Sequence, residues 1–327
     1  MKDWNYNYVI LGSNDELYKV SYAELKKYEN VYCIMDYLDT DNSFLKAIFR
    51  VHSSAKMNKT IKFPFQSIWN HLIFQHKFSN SKPICFLFFS RNQLCNLEVI
   101  KYLRTNYPNC RCVAFWQDLA KYCPTRDFDK LVNGGLDLCL SFDFDDAKKY
   151  KMEYYPLVYS PIGSIEPFST EKNDVYFVGK AKDRLSTIID AFEVLEGAGL
   201  KCDFNITGVS PEHQLHKDKI NYYGSMPYIE NLRHILSANC IFEVMQGGGK
   251  GFTLRYGEAI MYNKKIITNN QEVINAPFYS KDKVHVFQNA MEIDTTFPKL
   301  EPIEVDYDFK EKILPSNLLT FIDSKLK

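Results

Sequence analysis

The chain has 327 residues, 46% of them hydrophobic and 24% charged, and its 40 basic and 40 acidic side chains cancel. This composition excludes a disordered or fibrous protein, and zero net charge argues against general affinity for nucleic acid. The length exceeds one ordinary domain and suits two, each able to bury its own core.

The first apolar run, residues 8–11, is too short for a signal-peptide core or a membrane-spanning helix, so the expected location is the cytoplasm. Nine cysteines, odd in number and without a CxxC pair, read as buried reduced thiols rather than metal ligands or a disulfide framework.

In the first half, apolar runs at 8–11, 31–38, 84–89, 112–116, 136–142 and 154–159 read as buried parallel strands. Between them, Asn42 or Ser43 is placed to cap a helix with Phe44, Leu45, Ile48 and Phe49 on one face. Ser67 is placed to cap another, with Ile68, Leu72 and Ile73 inward. The segment 160–173, with two prolines, a glycine and several polar residues, has the composition of a linker and marks a boundary between domains 1–160 and 161–327. Beyond it the pattern restarts. Strands are expected at 175–178, 202–207, 220–223, 240–244 and 265–268, with helices near 183–196, 228–237 and 253–262. The expected fold is therefore α/β, with two doubly wound, Rossmann-like domains. Leu318, Leu319, Ile322 and Leu326 recur at helical spacing and predict a terminal helix that packs back on the first domain.

Ligands of open parallel sheets bind beyond the carboxyl ends of the strands. Two loops of the second half stand out there. In Phe177-Val178-Gly179-Lys180-Ala181-Lys182-Asp183-Arg184 a strand ends at glycine and a helix begins among cations. Gly179 lets a phosphate approach the backbone, and Lys180 or Arg184 can neutralise it. A turn followed by a solvated basic helix start is the plainer reading. The second loop, Glu243-Val244-Met245-Gln246-Gly247-Gly248-Gly249-Lys250-Gly251-Phe252-Thr253-Leu254-Arg255, packs four glycines between a strand and a helix. Its amides can converge on a diphosphate, with Thr253 or Arg255 beside it and a ribose within reach of Glu258. Gly251 stands where a Walker A motif needs Ser or Thr, which disfavours ATP hydrolysis. A mobile loop without a ligand is the alternative.

The order strand, Gln246-x-Gly-x-x-Gly251-x-Thr253-x-Arg255-x-x-Glu258-Ala259, then Lys264-Lys265-Ile266-Ile267-Thr268-Asn269-Asn270, resembles bacterial capsule and lipopolysaccharide glycosyltransferases of the GT-B type. Phe177-Val178-Gly179 with Arg184, and Phe142-Asp143-x-x-Asp146-Ala147-Lys148-Lys149-Tyr150, are similar to the same group, so the likeness runs over residues 110–270. The resemblance implies transfer of a sugar from a UDP- or GDP-sugar, held by the C-terminal domain, to a saccharide or lipid-linked saccharide held by the N-terminal one. No tightly bound cofactor or metal is implied. By matching position, Glu258 would bind the donor ribose. Gly249, Gly251, Thr253 and Arg255 would hold the diphosphate with Lys180 and Arg184, and Gln246, Asn269 and Asn270 would lie beside it. The family's acidic element followed by Ser is here Trp116-Gln117-Asp118-Leu119, a departure.

For an inverting reaction the base is sought at a strand end of the first domain. Asp118 is the first candidate and Asp15 the second, and a cap or solvated loop residue is the alternative for each. Asp143-Phe144-Asp145 looks like a metal-binding DxD, but Asp143 is better placed to cap a helix. Residues 42–97 contain no Asp or Glu, while Lys46, Arg50, Lys56, Lys59, Lys62, Lys77, Lys82 and Arg91 lie among aromatic residues, as in a surface that rests on anionic lipid. Ordinary core aromatics under solvated lysines are the other reading. Two further functions stay open at this point: a nucleotide-sugar 2-epimerase, and a non-catalytic component that binds a sugar nucleotide.

Overall fold

The structure is a computed structural model that describes residues 2–326 except 14, 36, 37, 39, 55, 56, 58–60, 62, 65, 90–93, 123–127, 164, 168–171, 248 and 300–305. Lys56, Lys59, Lys62, Phe65, Arg91, Cys123 and Gly248, and parts of the expected strand 31–38 and linker 160–173, lie outside the described residues. The chain divides into two units. Met1–Pro156 and Pro315–Lys327 form the first, and Leu157–Leu314 the second.

In unit 1 six parallel strands take the order β2-β1-β3-β4-β5-β6: β1 (Asn7–Leu11), β2 (Val31–Ile34), β3 (Ile84–Phe89), β4 (Arg111–Trp116), β5 (Leu138–Ser141) and β6 (Glu153–Tyr154). Side chains alternate across a strand. One face of β1 therefore sends Val9 and Leu11 into a core with Phe86, Phe88, Ala114 and Trp116. Helices α1 (Glu16–Ser21), α2 (Ser43–His52), α3 (Gln66–Ile73), α4 (Leu97–Asn106) and α5 (Phe144–Tyr150) complete the layers. Asn42 caps α2, its side chain accepting the Leu45 N–H at 3.1 Å.

Unit 2 contains β7 (Asn173–Lys180), β8 (Cys202–Thr207), β9 (Asn221–Tyr222), β10 (Ala238–Glu243), β11 (Lys265–Thr268) and β12 (Val284–Val286), in the order β12-β11-β10-β7-β8-β9, again parallel throughout. Its helices are α6 (Leu185–Gly197), α7 (Tyr228–Leu236) and α8 (Leu254–Met261). Val175, Phe177, Phe204, Ile206, Phe242 and Ile267 share the core face covered by α6.

Three local expectations change. Ser67 lies inside α3, with Ile68 and Leu72 outward. Ile73 is buried as expected, and Trp69 turns inward in place of Ile68 and Leu72, because this register lets the indole pack 5.4 Å from the Phe49 ring and donate to His52 Nδ1 at 3.2 Å. Phe44 of α2, expected inward, is exposed. The segment 160–173 belongs to unit 2, since the chain crosses at Pro156 and Leu157. No helix among the described residues is long and apolar enough to cross a membrane.

The last helix, α9 (Pro315–Lys325), belongs to unit 1 and buries Leu318, Leu319 and Ile322 completely. Its polar anchor is Asp323, whose carboxylate accepts the Asn5 N–H at 2.8 Å, Asn5 Nδ2 at 2.6 Å and the Tyr8 hydroxyl at 3.4 Å. Asp323→Ala is expected to lower the unfolding free energy by about 1.5–3 kcal/mol, the range for hydrogen bonds to a charged group, and Asp323→Asn by less. Urea titration reads both. Losses near zero in both variants would mean that Asp323 does not hold α9 in place.

Candidate functional site

In unit 2 the strand order reverses between β7 and β10, because β8 and β9 continue on one side of β7 and β10 to β12 on the other. Carboxyl ends diverge at such a point and leave a crevice for a ligand. A cavity of about 190 Å³ lies there, lined by Val178 and Gly179 from β7, Glu243 and Val244 from the end of β10, and Arg184, Thr253 and Arg255. Of the residues singled out in the sequence, Gly179, Arg184, Thr253 and Arg255 are thus brought together. Gly179 is close to Arg184, since a Cβ there would meet Arg184 Nη2 at 3.4 Å and the Phe177 ring at 3.2 Å.

Arg184 closes one wall. Its guanidinium donates to the Val244 carbonyl and, at 3.1 Å and 3.3 Å, to the Lys180 carbonyl, tying together the ends of β10 and β7. Burial holds its pKa below the ordinary arginine value, Glu243 and Asp183 oppose that, and the charge of Arg255 adds to it. Two guanidiniums therefore face one desolvated space.

Thr253 is the N-cap of α8, its hydroxyl accepting the Arg255 N–H at 3.3 Å. The same hydroxyl donates to Glu243 Oε1 at 2.5 Å, and Thr268 on β11 donates to Glu243 Oε2 at 2.5 Å. Glu243 thus pins β10, β11 and the start of α8 to one another. Burial pushes its pKa up against the pull of the two threonines and Arg184. Sequence reasoning gave Glu243 no role, although a carboxylate that ends the apolar run Ile241-Phe242 was the available signal.

Arg255 is only 21% exposed and pairs through Nη1 with Glu258 Oε2, one turn further along α8. Burial alone would lower its pKa, but the Glu258 carboxylate, with Tyr176 and Tyr228 beside it, holds it above the ordinary value. Glu258, expected at the donor ribose, is fully buried behind Arg255 and does not line the cavity. It accepts the Tyr228 hydroxyl at 2.8 Å and Asn231 Nδ2 at 3.1 Å. The reason is helical geometry: at i and i+3 the two side chains share a face, and α7 covers the side on which the carboxylate emerges.

The rest of the glycine loop serves as framework. Asn269 Oδ1 accepts the Met245 N–H at 2.7 Å, and Asn270 donates to the Gly251 carbonyl at 3.3 Å. Gln246 Oε1 accepts Lys182 Nζ at 2.5 Å, and the Gly249 N–H turns back to the Gln246 carbonyl at 3.1 Å. Lys180 is exposed. None of Lys180, Gln246, Gly249, Gly251, Asn269 and Asn270 lines the cavity.

A second, more open cavity of about 430 Å³ in unit 2 is walled by Asn205, Asn221, Tyr223, Met226, Glu230 and His234. His234 Nδ1 lies 2.6 Å from Asp203 Oδ2, and its ring stacks on Tyr176. Asn231 Oδ1 accepts both Arg255 Nη1 at 3.4 Å and the Tyr176 hydroxyl at 3.0 Å, and that hydroxyl lies 3.6 Å from Met226 Sδ, so these residues link the two cavities.

In unit 1, Asp15 and Asp118 follow β1 and β4, which β3 separates. Asp15 caps α1, accepting the Leu17 N–H at 3.4 Å, and Asp118 is half-buried. Asp143 is buried as the cap of α5 and accepts the Asp146 N–H at 3.0 Å, whereas Asp145 is exposed, so the two do not form a carboxylate pair. Among the described residues no group of three or more His, Cys, Asp or Glu could hold a metal ion.

No family model matches the sequence, and no curated protein matches it. Solved structures do match in fold. OtsA in its apo form aligns over 98% of this chain and 99% of its own at a TM-score of 0.56 and 10% identity. A UDP-GlcNAc 2-epimerase from Neisseria meningitidis, bound to UDP-GlcNAc, aligns over 98% of both chains at 0.54 and 12% identity. A UDP-forming α,α-trehalose-phosphate synthase from Burkholderia xenovorans aligns over 98% of both at 0.53 and 10% identity. The fold is that of these proteins: two doubly wound α/β units of the GT-B class.

Proposed function

We propose that the protein is a glycosyltransferase whose unit 2 binds a UDP- or GDP-sugar. The observation that carries this reading is the pair of guanidiniums, Arg184 and Arg255, on one desolvated cavity at the strand-order reversal. Their mutual repulsion is relieved when an anion of the size of a diphosphate lies between them. Arg255 is then the residue of α8 that meets the phosphates, and Glu258 holds it from behind instead of meeting the donor ribose. The polar cavity beside it, with Asn205, Tyr223 and Glu230 on its walls, suits the donor base, whose ring nitrogens and carbonyls need both donors and acceptors. Names of proteins with the same fold support the substrate class: a UDP-forming synthase and an enzyme bound to UDP-GlcNAc.

As the bond between sugar and phosphate breaks, charge grows on the leaving oxygen, and the two arginines stabilise it in place. An acceptor hydroxyl attacks the anomeric carbon, its proton passing to Asp118 or, in second place, Asp15. The acceptor in this reading is a saccharide or lipid-linked saccharide of surface polysaccharide synthesis, supported by the motif order shared with capsule and lipopolysaccharide enzymes. Unit 1 adds an exposed apolar set, Phe44, Val51, Ile68 and Leu72, beside Arg50 on a stretch without acidic residues, which suits an anionic membrane on the cytoplasmic side.

A thermal-shift panel of UDP, GDP and their sugar derivatives tests the donor site, because a ligand that binds only the native state raises the unfolding temperature. At least one nucleotide is expected to stabilise wild type and to lose that effect in Arg255→Ala. An unaffected variant would remove the assignment. Free nucleotide with a glycosylated product supports transfer, an isomerised donor the epimerase, and binding without turnover a non-catalytic role.

Glu243 generates a pH dependence. An anion in the cavity raises its pKa further, so the protonated form binds more tightly and affinity for UDP falls as pH rises through the Glu243 titration. Calorimetric titration across pH is expected to show a shallower fall for Glu243→Gln than for wild type. Identical slopes would place the anion elsewhere.

A further inference from the structure

Arg255 is the last member of a buried polar chain that begins where the main chain enters unit 2. Tyr159 lies just past the crossing, its ring fully buried and its N–H donating to the Ile313 carbonyl at 2.8 Å. Its hydroxyl is 2.8 Å from that of Tyr228. Tyr228 spends its one hydroxyl hydrogen on Glu258 Oε1, so Tyr159 donates in the first link and Tyr228 accepts. Glu258 Oε2 then accepts Arg255 Nη1. Asn231 braces the chain, donating to Glu258 Oε1 at 3.1 Å and accepting Arg255 Nη1 at 3.4 Å and the Tyr176 hydroxyl at 3.0 Å.

The entry segment is fixed against α8 as well. A Cβ on Gly257 would lie 2.9–3.0 Å from Cβ, Cγ and Cδ2 of Tyr159, so this glycine lets the helix backbone meet the tyrosine directly. Phenylalanine would fill both ring sites equally well. A hydroxyl buried there costs free energy unless it is hydrogen-bonded, and here both are spent on orienting one carboxylate.

We propose that Tyr159 and Tyr228 are positioning residues for Arg255, their linked hydroxyls fixing the Glu258 carboxylate that holds the guanidinium at the cavity wall. The proposal rests on the reading of that cavity as the diphosphate site and adds to it a support from the first residues of unit 2.

The test is a double-mutant cycle read by calorimetric titration with UDP and with GDP. Tyr159→Phe and Tyr228→Phe are each expected to weaken nucleotide binding about 3- to 10-fold, the scale of one hydrogen bond, and to add nothing in the Arg255→Ala background. Unchanged affinity in both phenylalanine variants, with Arg255→Ala weakened, would overturn the positioning role and leave the cavity reading intact. So would equal losses with and without Arg255, which a purely structural defect gives. Arg255→Ala that binds like wild type would instead overturn the cavity reading itself. Should Tyr159→Phe fail to fold, Tyr228→Phe carries the same cycle.

Discussion

Arg255 is kept at the rim of a strand-order reversal by Glu258, a carboxylate with no access to solvent, and the elements around the candidate site are arranged to keep that pair supplied with partners. An ion pair withdrawn from water is stable only when its remaining lone pairs and protons are satisfied, and removal of one member typically costs about 3–5 kcal/mol. Tyr228, Asn231 and, through Asn231, Tyr176 supply those partners from α7 and β7. The helix that carries the pair is itself pinned by Glu243 through Thr253, so the two carboxylates of the region have separate duties. One orients a charge and the other fixes a backbone.

The two sheets place their openings differently. In unit 1 the reversal falls between β1 and β3, beside the loop that carries Asp15. In unit 2 it falls between β7 and β10, where both strands end in residues of the cavity wall. The same layer plan thus places an aspartate beside one reversal and a pair of arginines at the other.

How much was legible in the sequence follows from where each element lies. β3 and β4 sit inside their sheet with both faces covered, so their apolar runs reveal them almost to the residue, and β8 shows as Phe204 and Ile206 alternating with polar residues. β2, β9 and β12 lie at or beside an edge. Tyr32 of β2 is exposed and β9 has two residues, so pattern alone overextends the one and blurs the other, and the three residues of β12 escape it. Arg184, Thr253 and Arg255 were readable because cations and a cap beside glycine, just after a strand, have a local physical meaning. The inward turn of Glu258 was not, since spacing gives the helix face and not what a neighbouring helix lays over it. Tyr159 and Tyr228 carry no signal of their own, because their link joins segments far apart in sequence.

The placement of α9 has a consequence for synthesis. Asn5 and Tyr8, which precede unit 2 in the chain, wait for Asp323, which follows it. Unit 2 is an insertion whose entry and exit are hydrogen-bonded to each other between Tyr159 and Ile313. It can therefore close and fold while unit 1 still lacks its final helix, so the order of completion during translation runs opposite to the order of the units in the chain.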